Sequence, residues 1–166
     1  MVAAPKTWQQ KRRETQGMIH SVIFDWKQTL YSPERRELNE GAKDLLDYLA
    51  GKIIPLYLIG KGGQEMHDEV DRLDVRRYFT EIFFAEGDKN PEDFKKCIDE
   101  ANPSSSFVIG DRTRGEIEIG NSLGATTIWL QVGKFSQELP ESDAQKPMFT
   151  VHGLHEAQAI LMQSQI

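Results

Sequence analysis

Two acidic residues in this sequence follow apolar runs that read as buried strands: Asp25 after Val22-Ile23-Phe24, and Asp111 after Phe107-Val108-Ile109-Gly110. In an open α/β sheet, the groups that bind and react collect at the carboxyl ends of the strands, so both acids stand where chemistry is expected. Glu116 follows Asp111 closely, and Lys27 and Lys89 add cations near the same strand ends. Asp111 and Glu116 also suit a simpler role, since acids favour the starts of helices.

The elements that must position these residues alternate regularly. After the strand at Val22–Phe24, Leu38, Ala42, Leu45, Leu46 and Leu49 recur at helical spacing, which predicts an amphipathic helix over about 38–51 ended by Gly51. IIPLYLIG (53–60) reads as a second strand, Lys61-Gly62-Gly63 as a turn, and a polar helix runs from there through Leu73. A third strand is expected around Ile82 to Ala85, and Asn90-Pro91 opens a helix to about Ala101. SSFVIGD (105–111) is a fourth strand, followed by a helix from about Gly115 to Leu123, and ATTIWLQV a fifth. A polar loop over 132–147, then FTV and a helix from about Leu154, close the sequence. Strict alternation implies a doubly wound, Rossmann-like parallel sheet of about five strands with helices on both faces.

The stretch DWKQTL, Asp25 to Leu30, resembles the first motif of the haloacid dehalogenase (HAD) superfamily, DxDGTL, with Lys27 in place of the second Asp and Gln28 in place of Gly. Further matches in the right order extend the resemblance over roughly residues 19–165: Gly60 where the family has Ser or Thr, Lys89 as the third-motif lysine, and Gly110-Asp111 with Glu116 as the fourth. The resemblance implies Asp25 as nucleophile and magnesium held by Asp25, the Lys27 carbonyl and Asp111, with Glu116 in the outer shell. It implies Lys89 bridging nucleophile and phosphate, with Lys95 and Lys96 as rivals for that place, and phosphate contacts from Gly60, Lys61 and Lys89. A hydroxyl donor is missing at Gly60, although its backbone and that of the following glycines could meet an anion. The short intervals between motifs leave no room for a cap domain, so the substrate is a phosphorylated small molecule or macromolecule, with a partner protein as a possible lid.

Lys27 alters the implied mechanism. Its pKa starts near ~10.4 and neighbouring carboxylates push it further up, so it is no substitute for a carboxylic acid. An ammonium ~4 Å from a divalent cation would repel it by several kcal/mol at an effective dielectric near ~20. Two arrangements stay open: Lys27 swings away and leaves a slow magnesium-dependent phosphatase, or it pairs with Asp25 and Asp111, stands in for the metal charge and leaves a binding or scaffold protein.

Composition narrows the remaining classes. With 166 residues and 39% hydrophobic content, a single domain over 18–166 can form its own core behind a polar, basic tail at 1–17. The net charge of −6 argues against generic nucleic-acid binding. One cysteine, Cys97, favours a reducing compartment, and with no apolar leader or membrane-length run the expected location is the cytoplasm.

Overall fold

The computed structural model describes residues 4, 5, 7 and 19–164; the tail expected at 1–17 otherwise lies outside them. Six parallel strands form one sheet: β1 (Ser21–Phe24), β4 (Leu56–Lys61), β5 (Glu81–Ala85), β6 (Ser106–Gly110), β7 (Thr126–Leu130) and β8 (Phe149–Val151), in the order β5-β4-β1-β6-β7-β8. The helices are α1 (Ala42–Gly51), α2 (Gln64–Arg72), α3 (Pro91–Cys97), α4 (Glu118–Ser122) and α5 (Leu154–Gln163). β8 goes beyond the five-strand expectation. A three-residue edge strand carries little sequence signal, and FTV becomes one by pairing with β7.

Alternation along the strands divides the core. Val22 and Phe24 of β1, Leu56 and Leu58 of β4, and Phe107 and Ile109 of β6 pack with Leu45, Leu46, Leu49, Val70 and Leu161 on one face. Ile23, Ile59 and Val108 point the other way, against Phe94 and Cys97 of α3, with Ile119 of α4 alongside. Each such side chain removed from water contributes roughly 1.5–3 kcal/mol, and both faces of the central strands are covered. The doubly wound arrangement expected from sequence is therefore present.

The structure departs from expectation where turns intervene. Residues 31–38 form an antiparallel hairpin of β2 (Tyr31–Ser32) and β3 (Glu37–Leu38), so α1 begins at Ala42 rather than near 38. Ile53, expected in the second strand, is 90% exposed at φ 59 in the turn after α1, and β4 starts only after Pro55. The helix expected at 115–123 is a π turn over Thr113–Ile117 leading into α4, because Gly115 leaves helical geometry at φ −126, ψ −112. α3 stops at Cys97, short of Ala101; Asn90 caps its start by accepting from the Glu92 N–H at 3.0 Å. Among the described residues, no helix is long and apolar enough to cross a membrane.

Candidate active site

β1 lies between β4 and β6, at the point where the strand order reverses direction, so the residues just past β1 and β6 face one crevice. The Asp25 N–H donates to the Ile109 carbonyl at 3.0 Å, which extends the β1–β6 pairing to Asp25. Beyond it the chain tightens: the N–H groups of Thr29, Leu30 and Tyr31 all donate to the Trp26 carbonyl. This turn returns Thr29 to Asp25, where Thr29 Oγ1 donates to Asp25 Oδ2 at 3.0 Å.

Asp25, Asp111 and Glu116 are all buried, and one oxygen from each lies within 4.8 Å of the others. The Lys89 ammonium donates to Asp25 Oδ1 at 2.5 Å and to Glu116 Oε1 at 2.9 Å. The Arg112 N–H holds Glu116 Oε2 at 2.9 Å, and Trp129 Nε1 donates to the Asp111 carbonyl at 2.9 Å. Gly110 leaves the room Glu116 needs, since a Cβ there would meet Glu116 Oε2 at 2.2 Å. Burial, then the Asp25 and Glu116 charges, push the Asp111 carboxyl well above its ordinary range; burial and Asp25 raise Glu116 in the same direction. Burial works against the Lys89 ammonium, but the charges of Asp25 and Glu116 outweigh it and hold the proton more tightly than usual.

Asp111 Oδ2 is buried and has no hydrogen-bond partner among the described residues. A buried acceptor left in that way costs about 1–3 kcal/mol, more for a charge. Three converging carboxylates, one with an orphaned oxygen, therefore fit a hard divalent cation.

Of the residues expected from sequence, Asp25, Lys89, Asp111 and Glu116 converge. Lys95 and Lys96 do not: they are exposed on α3 and pair with Glu92 and Asp93. Lys27 lines the same cleft but forms no ion pair with Asp25 or Asp111; its charge acts on Glu65 at the start of α2. The pairing arrangement considered for Lys27 is thus not the one found, and Lys89 occupies that place. Lys61 reaches the cleft and lies 3.6 Å from Asp88. Gly60 is enclosed: a Cβ on it would come within 2.9 Å of both Phe84 Cε1 and Trp26 Cβ. The N–H groups of Gly62 and Gly63 are engaged by the Ala85 carbonyl and by Glu65, so these glycines do not present free donors to an anion. Trp26 itself is fully buried, stacked on Tyr31 at 4.9 Å.

The cleft, about 760 Å³, also takes in Gln28 and residues that motif reading did not single out: Pro33 and Glu34 on one side, Arg112, Arg114, Lys134 and Phe135 on the other. Arg112 stacks over Phe135 at 3.8 Å and its Nε donates to Glu138 at 2.8 Å. The one available signal for this rim is position, because each segment directly follows a strand.

A doubly wound sheet with an acid cluster and a bridging lysine at its carboxyl edge defines the class of the fold as a Rossmann-like α/β core. The particular fold is that of the HAD superfamily, and a HAD-hydrolase-like family model matches residues 80–157. A haloacid dehalogenase-like hydrolase from Xanthomonas campestris is similar over 90% of this chain and 97% of its own, at 13% identity and TM-score 0.70. An uncharacterized protein from Listeria monocytogenes serotype 4b covers 88% of this chain and 99% of its own, at 20% identity and TM-score 0.66. The proposed HAD-hydrolase YfnB from Bacillus subtilis, solved bound to magnesium, covers 76% of this chain and 57% of its own, at 23% identity and TM-score 0.60. No curated protein matches the sequence.

Proposed function

We propose that this chain is a slow, magnesium-dependent phosphatase that cleaves phosphate monoesters through an aspartyl-phosphate on Asp25. The observation that carries this reading is the Lys89 ammonium held between Asp25 and Glu116, with Asp111 beside them. Asp25, Asp111 and the Lys27 carbonyl would hold magnesium, with Glu116 behind them, and the cation would neutralise charge on the phosphoryl oxygens. An Asp25 oxygen attacks phosphorus, the ester P–O bond breaks, and the leaving oxygen takes its proton from water. A water molecule then attacks the acyl phosphate, releasing phosphate and restoring Asp25. Lys89 orients Asp25 and offsets the charge that builds on the transferring group.

Turnover is slow for two reasons in this chain. Lysine replaces the carboxylic acid at position 27, and a positioned general acid contributes roughly a hundredfold to ten-thousandfold. No hydroxyl is available at Gly60, and one preorganised donor is worth on the order of a hundredfold to a thousandfold. The working compartment is the cytoplasm, in keeping with a lone, buried Cys97.

A panel of phosphate monoesters with magnesium, run on the wild type and Asp25→Asn, tests the reading. Phosphate release by the wild type that is lost in Asp25→Asn is expected. No release with any ester overturns the phosphatase and leaves a binding protein on the same fold.

A further inference from the structure

Gln28 occupies a backbone position that resists a side chain. Its φ of 67 lies in the left-handed region, where a non-glycine residue costs about 1–2 kcal/mol. Strain retained at the edge of a cleft is a reason to ask what the side chain does there. Its amide reaches two walls. Gln28 Nε2 donates to Glu34 Oε1 at 2.8 Å, on the connection between β2 and β3. Gln28 Oε1 faces the turn Gly133–Phe135 across the cleft without bonding to it: a Cβ built on Gly133 would lie 3.4 Å from it. Gln28, Glu34, Lys134 and Phe135 all line the cleft that contains Asp25.

Both walls are anchored from behind. Tyr31 Oη and Arg36 bind Glu69 of α2, which holds the hairpin down. Glu138 receives Arg112 Nε, Thr113 Oγ1 and the Arg114 N–H, which ties the segment after the Gly133–Phe135 turn to the π turn. A single amide between two anchored walls narrows the opening between them without any added domain.

We propose that Gln28 is a specificity-determining residue that, as a strap bonded to the hairpin and lying against the Gly133–Phe135 turn, reserves Asp25 for compact phosphate esters, against phosphoryl groups carried on a peptide chain. This rests on the phosphatase reading of the same site. Removing the strap as Gln28→Gly leaves a residue suited to the observed φ, which offsets the lost Glu34 hydrogen bond, and a melting curve confirms that the variant folds.

The test compares a compact ester, glycerol phosphate, with a phosphoserine peptide. In Gln28→Gly the ratio of kcat/KM for peptide over ester rises on the order of tenfold, the scale of one steric contact in a pocket. Amide hydrogen exchange across 31–38 accelerates. The pair Gln28→Glu with Glu34→Gln, which rebuilds the hydrogen bond in reverse, restores both values towards wild type. An unchanged ratio in Gln28→Gly, or an exchanged pair behaving like the glycine variant, overturns the strap. If the wild type releases no phosphate, the phosphatase reading fails by itself; the same ratio is then read from dissociation constants by calorimetry, and an unchanged value overturns the strap on that measure too.

Discussion

On the phosphatase reading, lysine at position 27 would change which phosphate compounds Asp25 can use. Without a carboxylic acid at that place, the leaving oxygen departs before it is protonated, so compounds whose leaving group is already acidic lose least. Lys27→Asp is expected to raise turnover of an alkyl phosphate by roughly a hundredfold to ten-thousandfold, and of nitrophenyl phosphate by much less. Steady-state rates on the two compounds decide this; equal gains would refute a proton-donor role for the new carboxylate. Gly60 makes the opposite point. Restoring the missing hydroxyl as Gly60→Ser places a Cβ within 2.9 Å of Phe84 and Trp26. Overpacking of this kind costs about 1–3 kcal/mol, so a lower melting temperature with no gain in rate is expected unless Phe84 is trimmed as well.

At the scale of elements, the β2–β3 hairpin is held by one buried acid. Glu69 accepts from Tyr31 Oη at 2.7 Å, from Arg36 at 2.8 Å and from Arg72 at 2.7 Å. Hydrogen bonds from Arg72, Arg36 and Tyr31 hold its carboxyl far below the ordinary range. A carboxylate whose pKa is depressed by folding stabilises the native state above its ordinary range, and that contribution is lost as pH falls towards the folded value. Glu69→Gln is therefore expected to melt lower at neutral pH and to lose less stability than wild type on acidification. Thermal melts of both proteins across the acid range check this. Parallel melting curves displaced by a constant amount would rule out the charge as the source.

Across the whole molecule, the sheet stores an unfavourable charge arrangement at its carboxyl edge. Burial and the neighbouring acids raise the Asp111 pKa, so the folded protein binds that proton more tightly than the unfolded chain. The sign follows directly: native stability from this group is full in acid and drains away as pH rises above the ordinary carboxylate range. A divalent cation competes with the same proton. The rise in melting temperature produced by magnesium is thus expected to grow from mildly acidic to mildly alkaline pH, and to shrink in Asp111→Asn. Differential scanning calorimetry with and without magnesium measures it, and a shift independent of pH would exclude Asp111 as a ligand.

The apolar runs around Phe24, Ile59 and Ile109 determined the strands by themselves, because a stretch buried on both faces must be apolar along its whole length. Order along the chain also made the Asp25, Lys89, Asp111 and Glu116 constellation legible, since each residue directly follows or closely trails a strand. The tertiary structure alone decided the rest. Lys27 lines the cleft without pairing with its acids while Lys89 takes the central place, a choice among cations that depends on distances between segments far apart in sequence. Gly60 proved closed because Trp26 and Phe84 pack over it, and a packed aromatic neighbour leaves no trace in the local sequence. The hairpin, too, depends on Tyr31 and Arg36 meeting Glu69, more than thirty residues away, which local propensity does not encode.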